Sequence, residues 1–309
     1  MKKICPNLHC AFPENIIRDG RFRRKDDSKK IQRYRCKNCR LRFSSATLTD
    51  TYRQKKRRVN YPLLKLLASG ISMRRSAIIL GVNRRTVERK FSFLGKRCRE
   101  ENRKKLSTFK GRIHNIQIDD LITKENSKLK PLSVTVAVDE YRRRILATEV
   151  SQIPSFGHLA KTAVKKYGKR NDEHFEGLTR MFQRISPFVS PEVVIKSDEH
   201  QRYPGFISSY LPLAKHLQFP SERACIVGQG ELKKVKFDPL FIVNHTCALL
   251  RANINRLIRK TWCTTKNPAR LSDHLEIFTF FYNEKLLKGG QHHSCRAVLI
   301  HQRLEQEPT

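Results

Sequence analysis

The chain is 309 residues long and carries 64 Lys+Arg against 28 Asp+Glu, a formal net charge of +36. Residues 1–110 hold 33 basic and 8 acidic residues, net +25, which leaves 31 against 20, net +11, for residues 111–309. A basic excess gathered at one end points to a polyanion, most simply nucleic acid, and no apolar run approaches the roughly 20 residues needed to span a bilayer, so no membrane partner is expected. The opening M-K-K-I-C-P-N-L-H-C is too short and polar for a secretion signal. Nine cysteines, an odd number, fit a reducing compartment, and the expected location is the cytoplasm.

Cys5 and Cys10 stand in C-P-N-L-H-C, and Cys36 and Cys39 in Y-R-C-K-N-C. Two close pairs with a loop between them have the spacing of a tetrahedral four-thiolate zinc site, with the first pair at the long end of the range. The intervening Arg21 to Lys30 is too charged for a core of its own, and a structural Zn2+ would hold it where burial cannot. The expected zinc-binding domain covers 1–48, and T-Y-R-Q-K-K-R-R at 51–58 is a basic linker.

A helical DNA-binding domain is expected over 59–105. Leu63, Leu64, Leu66 and Leu67 give a helix that stops at Ser69-Gly70. In S-M-R-R-S-A-I-I-L-G-V-N-R-R-T-V-E-R-K, Ala77, Gly81 and Val87 occupy the small-residue, turn-glycine and apolar-anchor positions of a helix-turn-helix. Asn83 or Thr86 caps the second helix, which would present Arg84, Arg85, Thr86, Arg89 and Lys90 to a major groove or its phosphates. Lys96 to Lys110 reads as a helix tail and linker.

The texture then changes to an α/β domain, expected over 111–290. I-H-N-I-Q-I-D-D-L, L-S-V-T-V-A-V-D and R-I-L-A-T-E-V read as strands, with E-Y-R-R-R as a charged hairpin connection. Helices are expected near 157–167 and 172–187, a short strand at V-V-I-K-S-D-E and another near His216 to Phe219. Helices again cover about 244–260 and 271–285, and 291–309 reads as a flexible tail. This order predicts a mixed sheet flanked by helices.

Within this basic chain, acids at strand ends stand out: Asp119 and Asp120 after the first strand, Asp198 and Glu199 after a later one. Such a group of hard oxygen ligands suits Mg2+ or Mn2+, and two such ions support phosphodiester chemistry. Lys196 is either a phosphate contact or a solvated charge. Trp262, Cys263, Cys98, Cys225, Cys247, Cys295, His292 and His293 read as packing or loop residues.

Taken together, these stretches resemble bacterial insertion-sequence transposases of the insertion-sequence-one type and their DDE relatives. Y-R-C-K-N-C-R-L-R-F is similar to the zinc-ribbon signature that opens those proteins, and the helix-turn-helix follows in order. I-D-D-L stands at the family's first Asp-Glu pair, with Asp120 in place of the Glu, and I-K-S-D-E stands at its second Asp. N-H-T-C-A-L-L-R-A-N-I-N-R-L-I-R-K-T-W-C-T-T-K follows the third-acid helix, with Asn244 where the family has a Glu and Arg251 seven residues on, where it keeps a Lys or Arg. Arg256, Arg259 and Lys260 keep the family's basic rhythm.

The resemblance implies an RNase-H-like catalytic domain and transposition: cleavage at terminal inverted repeats, then strand transfer into target DNA. It implies Asp119, Asp198 and Asn244 as ligands for catalytic Mg2+ or Mn2+ and Arg251 as a phosphate contact. His245 and Glu231 stay open as alternative third ligands. A homo-oligomer in a bacterial, nucleoid-associated setting is also implied. The competing expectation is a DNA-binding regulator, or a decayed copy that binds DNA without cutting it.

Overall fold

A computed structural model describes residues 4–220, 238–258 and 264–287 of the chain, which divides into two units, Met1–Pro62 and Leu63–Thr309. In the first, β1 (Ile16–Arg23), β2 (Lys30–Cys36) and β3 (Arg42–Ser44) form an antiparallel sheet in that order. The charged segment 21–30 is the far end of the β1–β2 hairpin, where Phe22 lies opposite Ile31 and Arg24 pairs with Asp27. A stacked Tyr34–Phe43 pair, centroids 5.5 Å apart, supplies a small apolar floor. The basic linker turns back onto the hairpin. Asp26 accepts the backbone N–H groups of Lys56 and Arg57 and forms an ion pair with the Arg57 guanidinium at 3.2 Å.

Three helices follow: α1 (Asn60–Ala68), α2 (Met73–Ile79) and α3 (Arg84–Ser107). Gly70, at φ +75°, ends α1 in a left-handed conformation that favours glycine, and the N–H of Ile71 bonds back to the Leu66 carbonyl. The Ser72 hydroxyl caps α2 and the Asn83 carbonyl caps α3, accepting the Arg85 N–H at 2.9 Å. Thr86 lies inside α3 and is not its cap.

Helix α3 runs unbroken through the stretch expected to be a helix tail and linker. Its stripe of Val87, Phe91, Leu94, Cys98 and Leu106 is buried, and it packs along α8 (Pro268–Phe281). At Gly95 the helices approach so closely that a Cβ would lie 2.6 Å from the Asp273 Cβ. Further along, the Asn102 amide donates to the Glu276 carboxylate at 2.7 Å. The helix pair and the α/β region, expected as separate domains, therefore fall within one unit.

That region is built on β4 (Asn115–Glu125), β5 (Ser127–Asp139), β6 (Ile145–Gln152), β7 (Val194–Asp198) and β8 (Lys215–Phe219). Their order is β6-β5-β4-β7-β8, with β4, β5 and β6 antiparallel and β7 and β8 parallel to β4. The expected hairpin over 140–144 is present: Asp139 Oδ1 accepts the N–H groups of Tyr141 and Arg142.

Helices cover both faces. Ile116 and Ile118 pack with Leu178, Met181 and Phe182 of α5 (His174–Ile185) and Tyr203 and Phe206 of α6 (Tyr203–Tyr210). On the opposite face, Gln117 accepts the Val243 N–H and donates to the Pro239 carbonyl, both at 3.0 Å. These bonds hold the start of α7 (Phe241–Asn253) against the sheet. The remaining helix, α4 (Leu159–Tyr167), follows β6. Helix α6 was not expected: Y-P-G-F opens it with a proline and a glycine, and burial of Phe206 and Ile207 holds it. Among the described residues no helix is long and apolar enough to cross a membrane. Glu231, Arg259, Lys260, Trp262, Cys263, Cys225, Cys295, His292, His293 and the expected tail lie outside the described residues.

Candidate functional site

In the parallel β4–β7 pair Ile118 lies opposite Ser197, so one residue further on Asp119 and Asp198 stand level on the same face. Asp119 was expected to end its strand. Instead β4 continues to Glu125, because its pairing with β5 extends beyond the end of β7. Burial pushes the Asp119 carboxyl up to about 6, and the charges of Asp198 and Asp120 push the same way. The Asp120 N–H, 2.7 Å from Asp119 Oδ1, and Arg251 oppose the rise. Asp198 is raised as well, first by burial and then by Asp120 and Glu199, against the His200 N–H at 3.3 Å. Both carboxyls are thus raised, and burial is the first cause for each.

Asp120 points to the other face and has a different task. Its Oδ1 accepts from Ser133 at 2.7 Å and Thr135 at 2.6 Å, and its Oδ2 bonds His174 Nε2 at 2.8 Å and the Tyr203 hydroxyl at 2.9 Å. Burial alone would raise it, but the His174 bond and charge and the two β5 hydroxyls outweigh that and bring it down to about 2. Asp120, His174 and His200 bring ligand atoms within 4.8 Å of one another, a grouping that could hold a metal ion. With each Asp120 oxygen already taking two hydrogen bonds, we read it as a brace that fixes β4 to α5 and α6. The alternation of β4 sends Asp120 to that face, but nothing in the sequence marks His174 or Tyr203 as its partners.

Helix α7 closes the opposite face. Cys247 and Arg251 lie one turn apart, and Asp119 senses Arg251. Burial and then the Asp119 charge push the Cys247 thiol up to about 12, which puts this face of α7 over Asp119. Asn244 occupies the first turn, seven residues before Arg251 and two turns along the same face. It is exposed, and its Nδ2 donates to Asp238 Oδ2 at 2.9 Å. Asp238 also accepts the Leu240 N–H at 2.9 Å. Sequence reading missed Asp238, although an acid before a proline and an apolar helix is a recognisable capping signal. His245 stacks on Phe241 at 5.7 Å, and burial and Arg143 lower its pKa. Lys196 forms an ion pair with Glu140 at 2.7 Å, so its charge is engaged within the protein.

The four cysteines of the first unit converge. Cys5 Sγ lies 3.5 Å from Cys39 Sγ and Cys10 Sγ 3.6 Å from Cys36 Sγ, and all four fall within 4.8 Å of one another. A zinc tetrahedron with Zn–S of about 2.3 Å separates its sulfurs by roughly 3.8 Å, so the cluster fits a metal ion such as zinc. The Asn38 amide donates to Cys10 Sγ at 3.6 Å, an outer hydrogen bond of the kind that orients a metal ligand.

No family model matches the chain, and no curated protein matches it.

On α3, Arg84, Arg85 and Arg89 are exposed and Thr86 is half-buried. Lys90, expected on the same face, is only 6% exposed. It lies three residues after Val87, inside the stripe turned toward the core, so the expected groove contact is corrected to an interior position. In its place α8 brings Arg270 to the open pocket of about 460 Å³ lined by Arg85, Glu88, Arg89 and Ser92.

Proposed function

We propose that the chain is a DDE-type DNA transposase that binds the terminal inverted repeats of a mobile element, cuts a strand and transfers it into target DNA. The carrying observation is the level pairing of Asp119 and Asp198 on adjacent parallel strands, with Arg251 within the field of Asp119. A mixed sheet of three antiparallel and two parallel strands, in the order β6-β5-β4-β7-β8 and covered by helices on both faces, supports reading this region as an RNase-H-like catalytic domain.

The two acid side chains and the Asn244 side-chain oxygen are donors suited to hard divalent ions. Mg2+ or Mn2+ bound there would supply Lewis acidity at the scissile phosphate and a water of lowered pKa. Asp119 and Asp198 would hold it as carboxylates, and the Asp120 N–H orients the Asp119 carboxylate. Arg251 neutralises phosphate charge beside the cut. Hydrolysis consumes one water, breaks the P–O bond to the 3′ oxygen and leaves a 3′-hydroxyl. That hydroxyl then attacks a target phosphodiester and releases the target's own 3′-hydroxyl, with no further water consumed.

DNA recognition falls to the zinc-binding unit and to α2–α3, read as a helix-turn-helix whose exposed Arg84, Arg85 and Arg89 reach bases or phosphates. Pairing two element ends calls for at least a dimer. One observation favours the second reading, a chain that binds ends without cutting: Asn244 brings no charge, and its amide is engaged by Asp238.

The test is incubation of labelled element-end DNA with the protein and Mg2+ or Mn2+, alongside Asp119→Ala and Asp198→Ala. Metal-dependent nicking that both substitutions abolish while binding persists supports the transposase. Binding without nicking by the unaltered protein overturns it in favour of the second reading.

A further inference from the structure

Beyond Asp119 on β4 lies a cavity of about 400 Å³, within the range of roughly 300–1,000 Å³ typical of ligand sites. It is bounded by the end of β4, the segment between β6 and α4, and the end of α7. Its wall is apolar where Pro131, Leu159 and Leu257 line it and cationic where Lys124, Lys128 and Arg251 do. Phe156 stands in that lining with 65% of its surface exposed. An aromatic ring left in water next to several cations is the pattern of a single-strand stacking platform, in which the ring takes a base and the cations take its phosphates. The cavity and the acid pair share Arg251, and Thr123 follows Asp119 by four residues, or about 13 Å of strand.

We propose that this cavity takes one unpaired nucleotide of the DNA strand flanking the cut, its base stacked on Phe156 and its phosphates held by Lys124 and Lys128. The inference rests on the transposase reading and adds to it a site for melted DNA at the element end. A base inside a duplex is excluded, because its stacked neighbours cover both of its faces and leave none for Phe156. Phenylalanine carries no hydrogen-bonding group, so the site selects for an unpaired base and not for its identity.

The test compares a duplex bearing a five-nucleotide single-stranded overhang with the same duplex blunt, both in Ca2+, using the full-length protein. The overhang carries 2-aminopurine, whose fluorescence falls when it stacks. The unaltered protein is expected to prefer the overhang duplex and quench the probe, and Phe156→Ala to bind it roughly tenfold more weakly, the scale of one lost base–aromatic stack. Phe156→Trp should restore both. Equal affinity for the two duplexes, or unchanged quenching in Phe156→Ala, overturns the proposal. Nicking is scored separately in Mg2+. Preference and quenching without nicking would overturn the reaction and leave a single-strand site, whereas nicking without preference would do the reverse.

Discussion

Asp119 and Asp120 are consecutive on β4, face opposite sides of the sheet and titrate in opposite directions. One is driven up to about 6, by burial first and then by the carboxyl across the strand pair; the other receives four donors and is driven down to about 2. The contrast separates a residue available for chemistry from one committed to structure, although both are aspartates in I-D-D-L.

Asp119 should cost the protein stability when no divalent ion is present. The unfolded chain ionises it near the ordinary 3.8, while the native state keeps the proton to about 6. The native state is therefore penalised fully above pH 6, by roughly 3 kcal/mol at 1.36 kcal/mol per pH unit, and not at all below pH 3.8. Asp119→Asn should be more stable than the unaltered protein by up to that amount in denaturant unfolding at pH 8, converging with it below pH 4. Added Mg2+ should narrow the gap. A variant no more stable at pH 8 would contradict the buried acid pair.

Asp120 works with the opposite sign. Its depressed pKa contributes stability that is present above the unfolded value and is lost as pH falls through about 2. Asp120→Ala would leave His174, Tyr203, Ser133 and Thr135 without their shared acceptor, and about 3–5 kcal/mol should be lost in equilibrium unfolding. A loss below 1 kcal/mol would show that the brace is dispensable.

Removing one thiolate should dismantle the first unit. Cys36 is fully buried among the other three sulfurs, and structural zinc supplies about 10–16 kcal/mol to domains of this kind. The unaltered protein should carry one zinc per chain by elemental analysis. Cys36→Ser should carry far less, and protease should then cut within residues 4–62 first. Zinc content unchanged by the substitution would remove the four-thiolate assignment.

The arginines of α3 should separate from Lys90 in salt titrations of DNA binding. Arg85→Ala should lower affinity and reduce the slope of log K against log salt by about 1, the signature of one lost phosphate contact. Lys90→Met should leave the slope unchanged, because that side chain is buried. Equal changes for both would mean that α3 binds DNA through a different face.

Much of this was legible in the sequence because the signals are local. Gly70 stops α1, Asn83 caps α3, Cys5, Cys10, Cys36 and Cys39 announce a tetrahedral site, and apolar alternation marks β4 through β6. Each needs only a few neighbouring residues and their backbone preferences. Asp119 and Asp198 could also be singled out, as acids in apolar strands of a basic chain.

What only the tertiary structure decided depends on contacts between residues distant in sequence. The parallel pairing of β4 with β7 brings Asp119 level with Asp198 across a crossover of two helices. Packing of α8 along α3 lengthens that helix, demands Gly95 and joins the helix pair to the α/β region. The same buried stripe draws in Lys90, whose charge marked it for the surface. His174 and Tyr203 become partners of Asp120 because α5 and α6 cover one face of the sheet. A sequence states which side chains are available; long-range burial and strand register determine which of them meet.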